Sequence, residues 1–150
     1  MMPERATIRP LHQSDEAEWL RLRLALWPEI ELEEQQREMA AIRADLDRQA
    51  VFVAECGAGR LCGLVEVSIR RMAPGCRSGR IGYLEARYVD PEWRKQGVGR
   101  RLVEAAEASA RTVGCREMAS DTTPDYPASP QAHASLGYQE VERYFRKDLD

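Results

Sequence analysis

Arg94, Gly97 and Gly99 form an R-x-x-G-x-G pattern, with Lys95, Arg100 and Arg101 beside it. Paired glycines let a backbone come close to a ligand. Where a helix starts at such a point, the unpaired amides of its first turn face the ligand, and the helix dipole adds partial positive charge. Glycines, open amides and flanking basic side chains together suit a pyrophosphate. The pattern needs particular elements around it. The stretch from about Arg80 to Val89 reads as a strand leading in. An amphipathic helix from about Gly97 to Val113 leads out, with Val98, Leu102, Ala106 and Ala110 on its apolar face and Gly114 as its terminator. Other glycine loops fit less well. The Rossmann fingerprint requires G-x-G-x-x-G, and a P-loop requires G-K-[ST] after its glycines, which does not follow Gly99.

The other elements can be taken in chain order. Ala6 to Leu11 reads as a first strand with Ile8 facing a core. Ser14 is a candidate N-cap for a helix in which Trp19, Leu22 and Leu26, and also Leu20, Leu24 and Trp27, recur at helical spacing. Pro28 stops it. The acidic run Glu29, Glu31, Glu33 and Glu34 leads into a second helix to about Gln49, striped by Met39, Ile42 and Leu46. Ala50 to Glu55 and Leu61 to Ile69 read as strands joined by the hairpin turn Gly57-Ala58-Gly59. Arg70 to Arg80 is a loop. Cys115 to Asp121 reads as a short strand, Thr122 to Ser129 as a loop, Pro130 to Leu136 as a short helix, and Tyr138 to Lys147 as a final strand. With no repeat and no linker, residues 1–150 are expected to form one domain. The mixture of early hairpins and late crossovers predicts an α/β layered fold around a mixed, mostly antiparallel sheet.

Composition narrows the function. A chain of 150 residues, 43% hydrophobic and 31% charged, has enough apolar material for a core and enough charge for solubility. Its net charge of -3 argues against a general nucleic-acid binder and is compatible with a cationic substrate. No long apolar run predicts a membrane helix, and Met1 to Arg5 holds no apolar signal core. A cytoplasmic location is expected. Cys56, Cys62, Cys76 and Cys115 include no C-x-x-C, and the two histidines lie far apart in the chain. No metal site is expected, and the thiols read as reduced and mostly buried.

The R-x-x-G-x-G segment resembles the acetyl-CoA-binding motif of the GNAT N-acetyltransferase superfamily, and the element order resembles the GNAT fold over nearly the whole chain. Several stretches further resemble aminoglycoside 6′-N-acetyltransferases: Leu24-Ala25-Leu26-Trp27-Pro28, Tyr83-Leu84-Glu85, Gly114 to Thr122, His133-Ala134-Ser135-Leu136-Gly137-Tyr138, and Tyr144-Phe145-Arg146-Lys147. The resemblance implies transfer of acetyl from acetyl-CoA to the 6′-amine of an aminoglycoside, hence antibiotic resistance, and a homodimer. It implies coenzyme contacts along Arg94, Lys95, Gln96, Gly97, Val98, Gly99 and Arg100, and backbone contacts at Tyr88 and Val89. A GNAT enzyme for another amine (a polyamine, an amino acid or a protein N-terminus) and a catalytically silent coenzyme-binding domain are the alternatives.

An alkylammonium must lose a proton before it attacks a thioester. Asp121, at the C-terminal end of its strand, is the candidate to anchor and deprotonate the amine. Glu85, opposite Leu84 and Ala86 if alternation holds, is the candidate to bind a second ammonium or order a water. The resemblance points to the same two carboxylates. The plain alternatives are an Asx-turn at Asp121 and a solvent-facing Glu85 paired with Arg87. His133 occupies the position where many GNAT enzymes carry a tyrosine that protonates the leaving thiolate; histidine can do this at neutral pH, or can serve only as a helix residue bonded to backbone or coenzyme. Trp27 is either an aromatic wall against sugar rings or a core residue. Asp125 and the acidic run from Glu29 are candidates to attract a polycation, or are simply solvated. The loop from Met72 to Arg80 lacks an aromatic residue sometimes found in these enzymes.

Overall fold

The computed structural model describes residues 5–150; Met1–Glu4, part of the segment without an apolar signal core, lie outside the described residues. Five strands, β1 (Thr7–Pro10), β2 (Gln49–Gly57), β3 (Arg60–Arg70), β4 (Ile81–Val89) and β5 (Glu117–Ser120), lie in the order of the chain. All neighbours are antiparallel except β4 and β5, which are parallel. The parallel pair needs a crossover, and α3 (Val98–Thr112) supplies it. Helices α1 (Glu16–Leu26) and α2 (Leu32–Arg43) pack on the other face, and α4 (Ser129–Ser135) follows β5. This is the expected mixed, mostly antiparallel layered fold.

Each face of the sheet has its own core. Val65, Val67, Leu84, Val98, Leu102 and Ala106 pack on the α3 side. Trp19, Leu22, Met39, Leu64 and Ala86 pack on the α1–α2 side. The stripe read in α3 is buried at all four positions. Close packing of α3 on β4 needs Gly82: a Cβ there would lie 2.5 Å from Met118 Sδ and 2.8 Å from Ala110 Cβ. Cys62 and Cys115 are buried, Cys56 and Cys76 half-buried, and all four are free. Burial pushes the Cys62 thiol up to about 12, so it is an inert apolar filler.

Four readings need correction. Ser14 caps nothing; it sits inside a 3-10 turn, Gln13–Asp15, and α1 starts after Asp15. Asp15 is spent on the His12 amide at 2.7 Å and on Arg9 at 2.8 and 3.0 Å. The second helix stops at Arg43 rather than near Gln49, and Leu46, in the turns beyond it, is 62% exposed. The final strand expected from Tyr138 to Lys147 does not form; the chain runs irregularly from Tyr138 on, with Val141, Tyr144, Phe145 and Leu149 exposed. Residues of strand-favouring type form a strand only where an edge accepts them. Finally, Leu84 and Ala86 do not share a face. The β3–β4 register steps from Glu66↔Ala86 to Val67↔Leu84, which leaves Glu85 as the extra residue of a bulge.

Candidate active site

The site lies where β4 and β5 separate. Their pairing runs from Ile81↔Glu117 to Leu84↔Ser120 and stops there, while β4 continues to Val89 against β3. From Glu85 to Val89 the edge of β4 that faced β5 is therefore open. Tyr88 and Val89, expected to offer backbone groups, lie on this edge.

On the α1–α2 side of the fork stand the two carboxylates. The bulge turns Glu85 toward a cavity of about 360 Å³, lined also by Trp27, Ile30, Glu38, Ile42 and Glu66. Its partner is Arg70 rather than Arg87. Oε1 accepts from Ser68 Oγ at 2.5 Å and from Arg70 Nε and Nη2 at 3.0 and 2.7 Å, whereas Oε2 accepts only from Arg70 Nη2 at 2.9 Å. Oε2 thus keeps capacity for another donor. The Arg70 guanidinium also lies 3.5 Å from the centre of the Tyr83 ring, and the Tyr83 hydroxyl donates to Asp121 Oδ2. Glu85, Arg70, Tyr83 and Asp121 form one continuous chain across the fork. Burial, then the bond to Asp121, pushes the Tyr83 phenol well above its ordinary value. Tyr83 remains a donor at neutral pH, and Asp121 is not an isolated Asx-turn residue.

Trp27 closes α1, half-buried in the wall of the same cavity. What holds it there was not legible in the apolar spacing. Arg23, 1% exposed, lies 4.9 Å from the Trp27 ring centre. Its Nη1 donates to both Glu66 oxygens at 2.6 and 2.7 Å, its Nε to Gln35 at 2.9 Å, and its Nη2 pairs with Glu38. Trp19 Nε1 completes the set on Glu66 at 2.9 Å. One buried guanidinium therefore ties α1 to α2 and β3, and breaking such a pair typically costs about 3–5 kcal/mol.

On the α3 side stands the glycine turn. Gly97 has φ +84 and Lys95 φ +63. The left-handed Gly97 carries the chain into α3, and Arg101 N–H donates to its carbonyl at 3.0 Å to start the helical ladder. The first-turn amides before Arg101 have no such helical acceptor. Arg94, Lys95, Gln96, Gly97 and Arg100 are exposed, Gly99 is half-buried, and Val98 turns into the core. Arg94 Nε donates to the Val89 carbonyl at 2.8 Å, Gln96 to the Glu92 carbonyl at 3.1 Å, and Arg100 to the Ser135 carbonyl at 3.0 Å. Arg101 is not mobile charge at this turn: it donates to the Ala6 carbonyl at 2.8 Å.

Sequence reasoning missed Arg87. It is half-buried, its guanidinium lies 4.0 Å from where a Cβ on Gly99 would stand, and it has no ion-pair partner among the described residues. Burial pulls its pKa below the ordinary guanidinium value. Its one usable signal was position, on the strand just before the glycine turn.

His133 reaches the fork from α4, with Nε2 2.8 Å from Ser120 Oγ. Asp125 does not join the cavity; it is exposed in its own turn, 3.5 Å from Thr123 Oγ1. The acidic residues Glu29, Glu31, Glu33 and Glu34 are likewise exposed and outside the cavity lining. A larger open depression of about 420 Å³, by Glu18, Arg21 and Arg60, contains none of the candidate residues. Among the described residues no group of three or more His, Cys, Asp or Glu side chains is placed to hold a metal, and no helix is long and apolar enough to cross a membrane.

The profile of the acetyltransferase (GNAT) family matches residues 16–138. The chain belongs to the GNAT acetyltransferase family. An aminoglycoside N(6′)-acetyltransferase type 1 from Klebsiella aerogenes is 43% identical, with 95% of this chain and 96% of that protein covered. A protein of the same name from Stenotrophomonas maltophilia is 39% identical, covering 100% of this chain and 98% of its own length. Among solved structures, AAC(6′)-Iy in complex with the bisubstrate analog CoA-S-monomethyl-acetylneamine superposes with a TM-score of 0.87 at 33% identity, over 97% of this chain and 100% of that one. As a GNAT acetyltransferase, the chain needs an acyl donor site and an amine site that meet.

Proposed function

We propose that this GNAT acetyltransferase moves the acetyl group of acetyl-CoA to the 6′-amine of aminoglycosides. The full-length similarity to relatives that carry this name supports the substrate class. The observation that carries the mechanism is the linked carboxylate pair, Glu85 and Asp121, on one side of a fork whose other side holds an open amide turn.

The coenzyme's pyrophosphate sits on the first-turn amides of α3, between the Arg94 and Arg100 side chains, with Arg87 supplying charge from the strand. The pantetheine arm runs along the open edge of β4 at Tyr88 and Val89, which brings the thioester to the fork. The polycationic substrate enters the Trp27 cavity, where Glu85 Oε2 takes one ammonium. Asp121 has Oδ2 occupied by Tyr83 and Oδ1 available; it holds the 6′-amine, accepts its proton, and keeps the nitrogen aimed at the carbonyl carbon. Backbone amide donors on β4 stabilise the developing oxyanion. His133 supplies a proton for the leaving thiolate. Asp125 is a peripheral attractant for cationic substrate.

The chain acts in the cytoplasm and as a homodimer. The exposed Val141, Tyr144, Phe145 and Leu149 support a second copy as their cover. The test of the function is steady-state CoA release with matched aminoglycosides that carry either an amine or a hydroxyl at the 6′ position. Turnover is expected only with the amine. Equal turnover with both would end the regiochemical reading, and turnover only with polyamines, amino acids or peptides would end the substrate class.

A further inference from the structure

Ser120 closes β5 at the last rung of the fork, opposite Leu84. Asp121, the next residue, turns its side chain to Tyr83 on the amine side. Ser120 turns the other way, to His133 Nε2 at 2.8 Å. On the far edge of that imidazole, Nδ1 lies 2.8 Å from the Ser129 carbonyl and 3.2 Å from Ser129 Oγ. A carbonyl oxygen can only accept, so Nδ1 carries the hydrogen. Tyr138 packs edge-on to the ring, with centroids 6.0 Å apart, and holds its plane. In the neutral ring Nε2 is then a bare acceptor with no proton to give, and the Ser120 hydroxyl donates to it. In the protonated ring Nε2–H donates to Ser120 Oγ, and the serine hydrogen is released to point elsewhere. In both states the serine hydroxyl stands between the imidazole and the fork.

We propose that Ser120 is a further catalytic residue of the acetyl transfer, the group that hands a proton to the departing thiolate, with His133 behind it as the reservoir. The inference rests on placing the thioester in the β4–β5 fork. When the tetrahedral adduct collapses, the carbon–sulfur bond breaks and its electron pair goes to sulfur. The Ser120 hydroxyl hydrogen moves to that sulfur, and the Nε2 hydrogen of imidazolium His133 moves to Oγ. His133 is left neutral with its remaining hydrogen on Nδ1. The proton lost by the attacking amine goes to Asp121 and from there to solvent, and solvent returns one to His133, so one proton travels from nitrogen to sulfur overall.

The experiment compares the full chain with Ser120→Ala, Ser120→Thr and His133→Gln. Single-turnover acetyl transfer is followed by rapid quench in H₂O, D₂O and their mixtures, and acetyl-CoA affinity by calorimetry. Ser120→Ala is expected to slow transfer about 10- to 100-fold, at or below the low end of general-acid effects because a thiolate leaves readily, with coenzyme affinity within about twofold. Ser120→Thr, which keeps the hydroxyl, is expected within about threefold of the parent. The rate should bend with deuterium fraction in the parent, as two moving protons require, and run straight in Ser120→Ala. Parent-like transfer in Ser120→Ala, equal slowing in the alanine and threonine variants, or an acetylated Ser120 peptide after quench would each overturn the relay. If His133→Gln alone slows transfer, the fork reading stands and only the serine step falls. If neither Ser120→Ala nor His133→Gln changes transfer, the relay falls; if Asp121→Asn is silent as well, the placement of the thioester falls with it.

Discussion

The Tyr83 hydroxyl donates to the Asp121 carboxylate across the parallel strand pair, from a ring that is 5% exposed and covered by Arg70. A buried phenol whose pKa is pushed up keeps its hydrogen. It fixes one oxygen of Asp121 and leaves the other for substrate. Tyr83→Phe should therefore lower kcat/KM for the amine about 10- to 100-fold, the worth of a hydrogen bond to a charged group. Asp121→Asn should cost more, because it removes the base as well as the anchor. Neither should change acetyl-CoA affinity, measured by calorimetry. An unaffected kcat/KM in both variants would remove Asp121 from the mechanism.

Gly97 sits at φ +84, where a side chain is strained, yet a Cβ there meets no protein atom within 4 Å. Gly97→Val should thus cost about 1–2 kcal/mol of stability from backbone conformation alone. It should also cost more than tenfold in coenzyme affinity, because the side chain would stand over the amides. Gly97→Ala should fall between. A valine variant that loses stability but binds acetyl-CoA normally would show that the turn does not hold the pyrophosphate.

Arg87 predicts effects of opposite sign. Its charge is desolvated on β4 with no counter-ion among the described residues, which is unfavourable to the free protein. Arg87→Met should leave the thermal midpoint unchanged or raise it. It should weaken acetyl-CoA binding about tenfold or more if the guanidinium meets a coenzyme phosphate. A destabilised variant with normal affinity would make Arg87 a packing residue.

Much of this arrangement was legible in the chain, and what was not has physical causes. The glycine turn and the α3 stripe are local: a left-handed residue before an amphipathic run means the same thing in most contexts. The direction of Glu85 was not legible, because a bulge is decided by the register of β3 against β4 and not by either strand alone. Arg23 lies in a helix whose apolar spacing hides it; its burial follows from Glu66 and Gln35, 43 and 12 residues away in the chain. Ser14 looked like a cap, but Asp15 forms the local bonds because Arg9 pairs with it. Tyr138 to Lys147 carries the aromatic and branched residues of a strand, yet it pairs with no strand of this chain.

That last segment carries its own prediction. Phe145 is 91% exposed and Tyr144 76%, a large apolar surface for a chain end. Removing residues 139–150 should convert a dimer, seen by analytical ultracentrifugation at micromolar concentration, into a monomer. Phe145→Asp should weaken association in the same direction. A monomeric parent would remove the homodimer, and a truncated chain that still dimerises would move the interface elsewhere.

Asp15 gives a pH signature independent of catalysis. It is 3% exposed and bound by Arg9 through two hydrogen bonds. The Arg9 guanidinium, more than any other contact, holds its carboxyl below the usual value of 3.8, and the His12 amide adds to this. A carboxyl whose folded pKa is depressed binds fewer protons folded than unfolded. Its contribution is full above its unfolded pKa and is lost as pH falls through that value toward the folded one. Asp15→Asn should therefore destabilise the protein by about 2 kcal/mol at neutral pH. The difference from the parent should shrink as pH drops below about 4. Urea denaturation at a series of pH values measures both. A constant difference across that range would mean that the Asp15 carboxyl has the same pKa folded and unfolded, and that the pair with Arg9 contributes nothing through charge.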